Sequence, residues 1–262
     1  MPHENTFRTV TVALIVSLVC SILVSVTAVS LQDIQQENAA GSTLRTIVTD
    51  LDLIKEDERI SAVFDRSEPI LVELATGEIV PPESYDEELN LDEFDIQRIA
   101  AHPDYGMAIP EGKDIARIGR MPRYMRVFVI HERGGKQVEK YAFPIYGQGL
   151  YSTMRGVIAL KPDLKTVDSV SFYEHAETPG LGGEIENSQW KNSWRGKTAL
   201  DGDGKVLLEV LTGTVDRSNP RAGSQIDGLS GATRTTRGVD QLVKFWLGED
   251  GYGPFLNKQR GS

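Results

Sequence analysis

The sequence predicts an α+β protein: a single N-terminal transmembrane helix followed by an extracytoplasmic domain with a mainly antiparallel sheet. Three observations lead there. Residues 9–32 carry no charge and are mostly apolar. From about residue 124, runs rich in β-branched and aromatic residues alternate with turn signals. A helical pattern near 236–247 follows, and strands with interspersed helices favour an α+β arrangement.

The first element is the apolar run centred on Val10 to Leu31. A helix of that length reaches roughly 33–35 Å, enough to cross a ~30 Å hydrocarbon core. Its Ser and Thr hydroxyls can bond back to carbonyls one turn earlier. A cleaved signal peptide with a site at Val26-Thr-Ala28 is the competing reading. The run exceeds a usual h-region and the basic flank is thin, which favours a retained anchor. Arg8 and the amino terminus precede the run, while Asp33 and Glu37 follow it. That bias places residues 1–8 in the cytoplasm, 9–31 in the membrane and the bulk of the chain outside. Cys20 is the only cysteine, so no internal disulfide, CxxC pair or four-thiolate cluster can form; at mid-helix it packs as a small apolar residue.

Residues 32–123 read as a connecting and docking region. Within 42–58, Leu44, Ile47, Val48, Leu51 and Ile54 recur at helical spacing. Residues 81–96 are rich in Pro, Asp and Glu and read as an exposed acidic connection. Residues 124–262 read as the second domain. Arg126–His131 and Val138–Phe143 flank a Gly-Gly turn and predict a hairpin. Further strands are predicted at Met154–Leu160, Val167–His175 and Lys205–Thr212. The closing helix puts Val239, Leu242, Val243, Phe245 and Trp246 on its apolar side.

Composition excludes some functions. A net charge of −10 with no Lys/Arg run argues against nucleic acid, whose phosphates need clustered cations. His3, His102, His131 and His175 are scattered without metal-ligand spacing, so no metal site is expected. No general acid–base pair stands out, and no catalytic residue is assigned.

The segment that carries chemistry is Asp227-Gly-Leu-Ser-Gly-Ala-Thr-Arg-Thr-Thr236, directly before the closing helix. Gly231 and Ala232 allow a ligand close to the backbone. The hydroxyls of Ser230, Thr233, Thr235 and Thr236 can cap the helix. The same free N–H groups, with the helix dipole, suit a phosphate, and Arg234 can add a charge-assisted contact. From the residues alone, an anion site and an ordinary Ser/Thr-rich cap both stay open. A second segment, Tyr173-Glu-His-Ala-Glu-Thr-Pro-Gly-Leu-Gly-Gly183, reads as a Pro-Gly turn leaving a strand.

Both segments resemble known motifs. Asp227-x-x-Ser230-Gly-Ala-Thr233 matches the Asp-x-x-(Ser/Thr)-Gly-Ala-Thr signature of FMN-binding domains modified by a flavin transferase. The resemblance implies FMN joined through its phosphate to Thr233, with Asp227, Ser230, Gly231 and Ala232 as the recognition shell. Glu177-Thr-Pro-Gly-Leu-Gly182 resembles the flavin-contacting loop of the same families, implying contacts from Glu177, Thr178, Gly180, Leu181 and Gly182. With Met154-Arg-Gly-Val-Ile-Ala, Trp190-x-x-x-Trp194-x-Gly-Lys197 and Phe245-Trp-Leu-Gly to Phe255, the chain resembles the C subunit of the sodium-translocating NADH:quinone reductase. The homologous G subunit of the ferredoxin-linked electron-transport complex shares the two flavin motifs. The Trp pair and the ending fit the quinone-reductase member better. Where relatives often carry an aliphatic residue and then Thr-Ser after the acceptor, this chain has Arg234-Thr-Thr236.

The family implies an electron-transfer flavoprotein in a six-subunit bacterial inner-membrane complex. FMN on Thr233 accepts electrons from an iron–sulfur centre in the membrane subunits and passes them to the FMN-bearing B subunit, toward ubiquinone. A flavin transferase matures the chain, making it a phosphoprotein in the ester sense. Sodium movement falls to other subunits, because the single helix has no charged residue to line an ion path. The rival from another class is a non-redox, membrane-tethered binding module.

Overall fold

Strands 124–175 form because apolar side chains recur at alternate positions, so each strand can bury one face against each layer. The computed structural model describes residues 6–54, 60–91 and 93–261; side chains of 6–7, 27–44 and 60 are not described. His3, Asp92, residues 55–59 of the helical run, and the side chains of Thr27, Ala28, Asp33, Glu37 and Leu44 lie outside the described set.

In chain order the helices are α1 (Thr6–Asp50), α2 (Ile60–Asp65), α3 (Ile96–Ala101), α4 (Ser188–Asn192), α5 (Thr233–Leu247) and α6 (Gly253–Arg260). The strands are β1 (Ser67–Glu73), β2 (Ile79–Val80), β3 (Gly106–Ala108), β4 (Arg120–Pro122), β5 (Tyr124–His131), β6 (Val138–Gln148), β7 (Thr153–Leu160), β8 (Val167–Glu174), β9 (Glu209–Val210) and β10 (Gln225–Ile226). Contacts divide the chain into a unit ending at Arg45 and a unit beginning at Thr46.

The first unit holds the stretch Arg8–Val26, which is long and apolar enough to cross a membrane, with a mean hydropathy of 2.6. Its large apolar side chains from Val10 to Val26 are exposed.

The second unit is built on a six-stranded antiparallel sheet in the order β2-β1-β5-β6-β7-β8. The predicted hairpin around Gly134 and Gly135 joins β5 to β6, with Phe128 opposite Ala142. One face carries Val127, Phe143, Ile145, Ile158, Val170 and Phe172 against Val239, Leu242, Val243 and Trp246 of α5. The other carries Ile130, Ala142, Val157 and Ala159 against Val48, Leu51, Leu53 and Val63. Neighbouring residues such as Ala142 and Phe143 thus serve opposite layers, as a period of two requires.

Several buried polar groups in these layers are paired, although Trp194 Nε1 is buried without a hydrogen-bond partner. Lys140, almost fully buried, donates to Leu51 O at 2.9 Å and to Asp168 at 2.6 Å. Tyr252 donates to Pro144 O at 2.7 Å; burial pushes its phenol well up, so it stays a neutral donor.

Three local expectations need amendment. The sequence divides the chain near residue 124, yet β1 and β2 precede that point and share the sheet with the strands after it. Pro69 disguises β1, since proline removes a ladder donor; β2 pairs only Leu71 and Val72, leaving Pro69 toward an open edge. The strand expected over Lys205–Thr212 shrinks to Glu209–Val210, paired in parallel with β10. Asp201 holds the start of that segment in a turn, accepting from Asp203 N and Lys205 N. The helix expected near 236–247 begins at Thr233, three residues early, and an unexpected helix, α6, follows it.

Candidate flavin site

The start of α5 is set by its preceding turn. Gly231 has φ +72°, a left-handed conformation that favours glycine, and Ala232 is the N-cap residue with no side-chain cap. The expectation that hydroxyls cap this helix therefore fails. Two of them are spent elsewhere: Thr236 Oγ1 accepts from Leu229 N at 3.1 Å, and Thr235 Oγ1 donates to Glu177. Without a side-chain cap, the first-turn N–H groups and the positive end of the dipole are available to an anion.

The hydroxyls then separate by burial. Thr235 and Thr236 are 1% and 0% exposed, whereas Thr233 and Ser230 face solvent. Among the described residues, Thr233 Oγ1 has no hydrogen-bond partner, and the neighbouring Arg234 is also exposed.

Glu177 ties three segments together. It is buried, and Oε1 accepts from Leu150 N at 2.8 Å and Tyr151 N at 3.1 Å, while Oε2 accepts from Thr235. A carboxylate taking three donors can stay buried because its charge is matched by hydrogen bonds. Gly182 lies so close that an added Cβ would stand 2.4 Å from Thr235 Oγ1 and 2.7 Å from Glu177 Oε2. A Cβ on Gly231 would stand 3.0 Å from Leu181 Cδ2, so the two motifs meet side by side.

Not every expected residue faces that meeting point. Asp227 turns to scaffold work: its Oδ1 accepts from Val215 N at 2.6 Å, and its carbonyl accepts from Trp190 Nε1 at 2.8 Å. Thr178 and Gly180 form the exposed turn, with Thr178 O accepting from Leu181 N and Gly183 N. Trp190 and Trp194 pack edge to face in the core beneath Phe172.

Sequence reasoning missed Leu150 and Tyr151. Outside α1, six large apolar side chains are exposed among the described residues, and three of them (Leu150, Tyr151 at 66% and Leu181 at 45%) lie on these adjoining loops. Burying a Tyr or Leu removes enough apolar area to matter, so such a cluster marks a surface awaiting a ligand or partner. The signal available was Gly149-Leu150-Tyr151 at a turn, which reads as a turn alone.

The donor set fits FMN: an exposed hydroxyl for an ester, an uncapped helix start for phosphate charge, and exposed apolar side chains for a planar ring.

Comparisons with known proteins point to the same cofactor. A family model described as an FMN-binding domain matches residues 149–248, which contain both loops and α5. The chain is 39% identical over 262 residues to the C subunit of the Na(+)-translocating NADH-quinone reductase of Pseudomonas aeruginosa, covering 98% of this chain and 97% of that one. It is 37% identical to the protein of the same name from Yersinia pestis, covering 98% and 94%. The crystal structure of NqrC from Shewanella oneidensis superposes with a TM-score of 0.74 at 30% identity, covering 86% of this chain and 100% of that one.

Proposed function

The chain belongs to the family of the Na(+)-translocating NADH-quinone reductase C subunits, and from that premise we propose that it holds FMN as a phosphoester of Thr233 within such a complex. The observation that carries this reading is the contrast at the start of α5. Thr233 offers an exposed hydroxyl without a partner, while Thr235 and Thr236 are buried and already bonded. A threonine hydroxyl is a weak nucleophile and the described residues nearby give Thr233 no base, which is why attachment calls for a separate flavin transferase.

The chain's own residues position the cofactor. Gly231 and Ala232 let the phosphate approach the helix start, and Arg234 lies next to the ester. Glu177 fixes the 149–151 turn against α5, so Leu181 and Tyr151 present apolar surface beside Thr233's segment. Thr178, Gly180 and Gly182 supply the backbone of the loop that would lie along the ring. Asp227 and Ser230 complete the segment a transferase reads. When bound, FMN supplies electron transfer, from an iron–sulfur centre in the membrane subunits toward the FMN-bearing B subunit and quinone. The stretch Arg8–Val26 anchors the chain in the bacterial inner membrane, with the amino terminus inside and residues 46–262 in the periplasm.

Co-expression with the transferase followed by denaturing electrophoresis tests the attachment. The unfolded polypeptide is expected to fluoresce as a flavoprotein, and Thr233→Ala to abolish the signal. Full fluorescence in T233A would refute the assignment.

A further inference from the structure

Beside the exposed start of α5 lies a cleft of about 500 Å³ lined by Arg117, Arg234 and Arg237, with Gln148, Leu150 and Gln241 among its walls. No lining residue is acidic, and none of the three guanidinium groups has an ion pair or hydrogen bond among the described residues. Elsewhere several cations are matched, Arg66 with Glu139, Lys140 with Asp168, Arg155 with Glu174 and Lys191 with Asp50, while others such as Arg123, Arg133 and Arg217 show no ion pair among the described residues. In a chain of net charge −10, this cleft gathers three arginines that no carboxylate neutralises among the described residues. Concave walls concentrate such a field, and the planar guanidinium fork suits carboxylates in two-point contacts.

We propose that this cleft is a docking surface for an acidic, carboxylate-bearing polypeptide segment of another subunit. One phosphate leaves most of a 500 Å³ cleft unfilled and meets only part of a charge shared between α5 and the loop carrying Arg117. Gln148 and Gln241 add paired donors and acceptors of the kind that match a peptide backbone. Leu150 belongs both to this cleft and to the exposed apolar turn, so a segment docked here lies next to the flavin-bearing side of α5. The inference rests on the chain's working inside a multi-subunit complex, and it is independent of which threonine bears the ester.

The test uses the assembled complex purified on a tag carried by this chain. A photo-crosslinker, p-benzoylphenylalanine, replaces Gln241, which leaves the arginines intact. The expected product joins this chain to a peptide of another subunit containing several Asp or Glu residues. In parallel, R117E/R237E is expected to lower the yield of co-purified subunits by about tenfold or more, because like charges then face each other. The neutral pair R117Q/R237Q, with an unchanged thermal midpoint, is expected to give an intermediate loss; flavin fluorescence per chain stays constant in both. A crosslink to lipid or to a segment without acids overturns the proposal. So does an unchanged yield, or a fall in flavin per chain at constant yield, which would assign the arginines to the cofactor's phosphate. A wild-type chain that purifies alone sinks the complex assignment itself; an intact complex indifferent to the reversals sinks only the docking surface.

Discussion

Thr233 and Thr235 stand two positions apart with the same chemistry, and the fold gives them opposite surroundings. One hydroxyl faces solvent; the other is buried on Glu177. Replacing Glu177 with Ala strands the N–H groups of Leu150 and Tyr151 and the Thr235 hydroxyl. The expected cost is on the order of 2–4 kcal/mol in denaturant unfolding, with flavin loading impaired. Glu177→Gln keeps the side chain's size and one acceptor for the two N–H groups and is expected to lose less; equal losses would show that one neutral acceptor does not hold the turn and that the carboxylate itself is required. The motif could be read in the sequence, but this role could not. Glu177's three partners lie 26, 27 and 58 residues away, and only the folded chain brings them together. Asp227 is a second case: the motif placed it in the recognition shell, but its hold on Val215 N and the backing of its carbonyl by Trp190 could not be read from the sequence.

The helix α5 reaches the sheet through a close approach at Gly147, where an added Cβ would stand 2.7 Å from Leu242 Cβ. Trp246 reinforces it by donating Nε1 to Tyr146 O at 2.6 Å. Gly147→Ala is expected to destabilise by about 1–3 kcal/mol through overpacking, read as a lowered thermal midpoint. An unchanged midpoint would mean that the helix can shift away freely. On the opposite face, Lys140 holds the carbonyl of Leu51 and the carboxylate of Asp168. Lys140→Met removes the donor to Leu51 O and leaves Asp168 with Ser169 Oγ but no counter-charge, and amide exchange over residues 48–54 is expected to speed up; unchanged exchange would mean apolar packing alone holds that segment. Elements built on local periodicity were legible in advance: β5 to β8, the Gly-Gly hairpin and the body of α5. Those decided by one proline or by a polar side chain closing a turn were not. Pro69 hid β1, and the turn at Asp201 took most of the expected Lys205–Thr212 strand.

At the scale of the whole molecule, a stretch long and apolar enough to cross a membrane precedes an acidic domain, and the proposed topology can be tested directly. Protease added to right-side-out membrane vesicles is expected to digest residues 46–262, and inside-out vesicles to protect them. The reverse pattern would invert the topology drawn from Arg8, Asp33 and Glu37. The central claim is the ester at Thr233, and mass spectrometry of the peptide covering residues 222–237, taken from the assembled complex, tests it most directly. The account predicts a mass increase of one FMN less one water, with fragmentation placing it on Thr233. An unmodified peptide, or the label on Thr235 or Thr236, would contradict it.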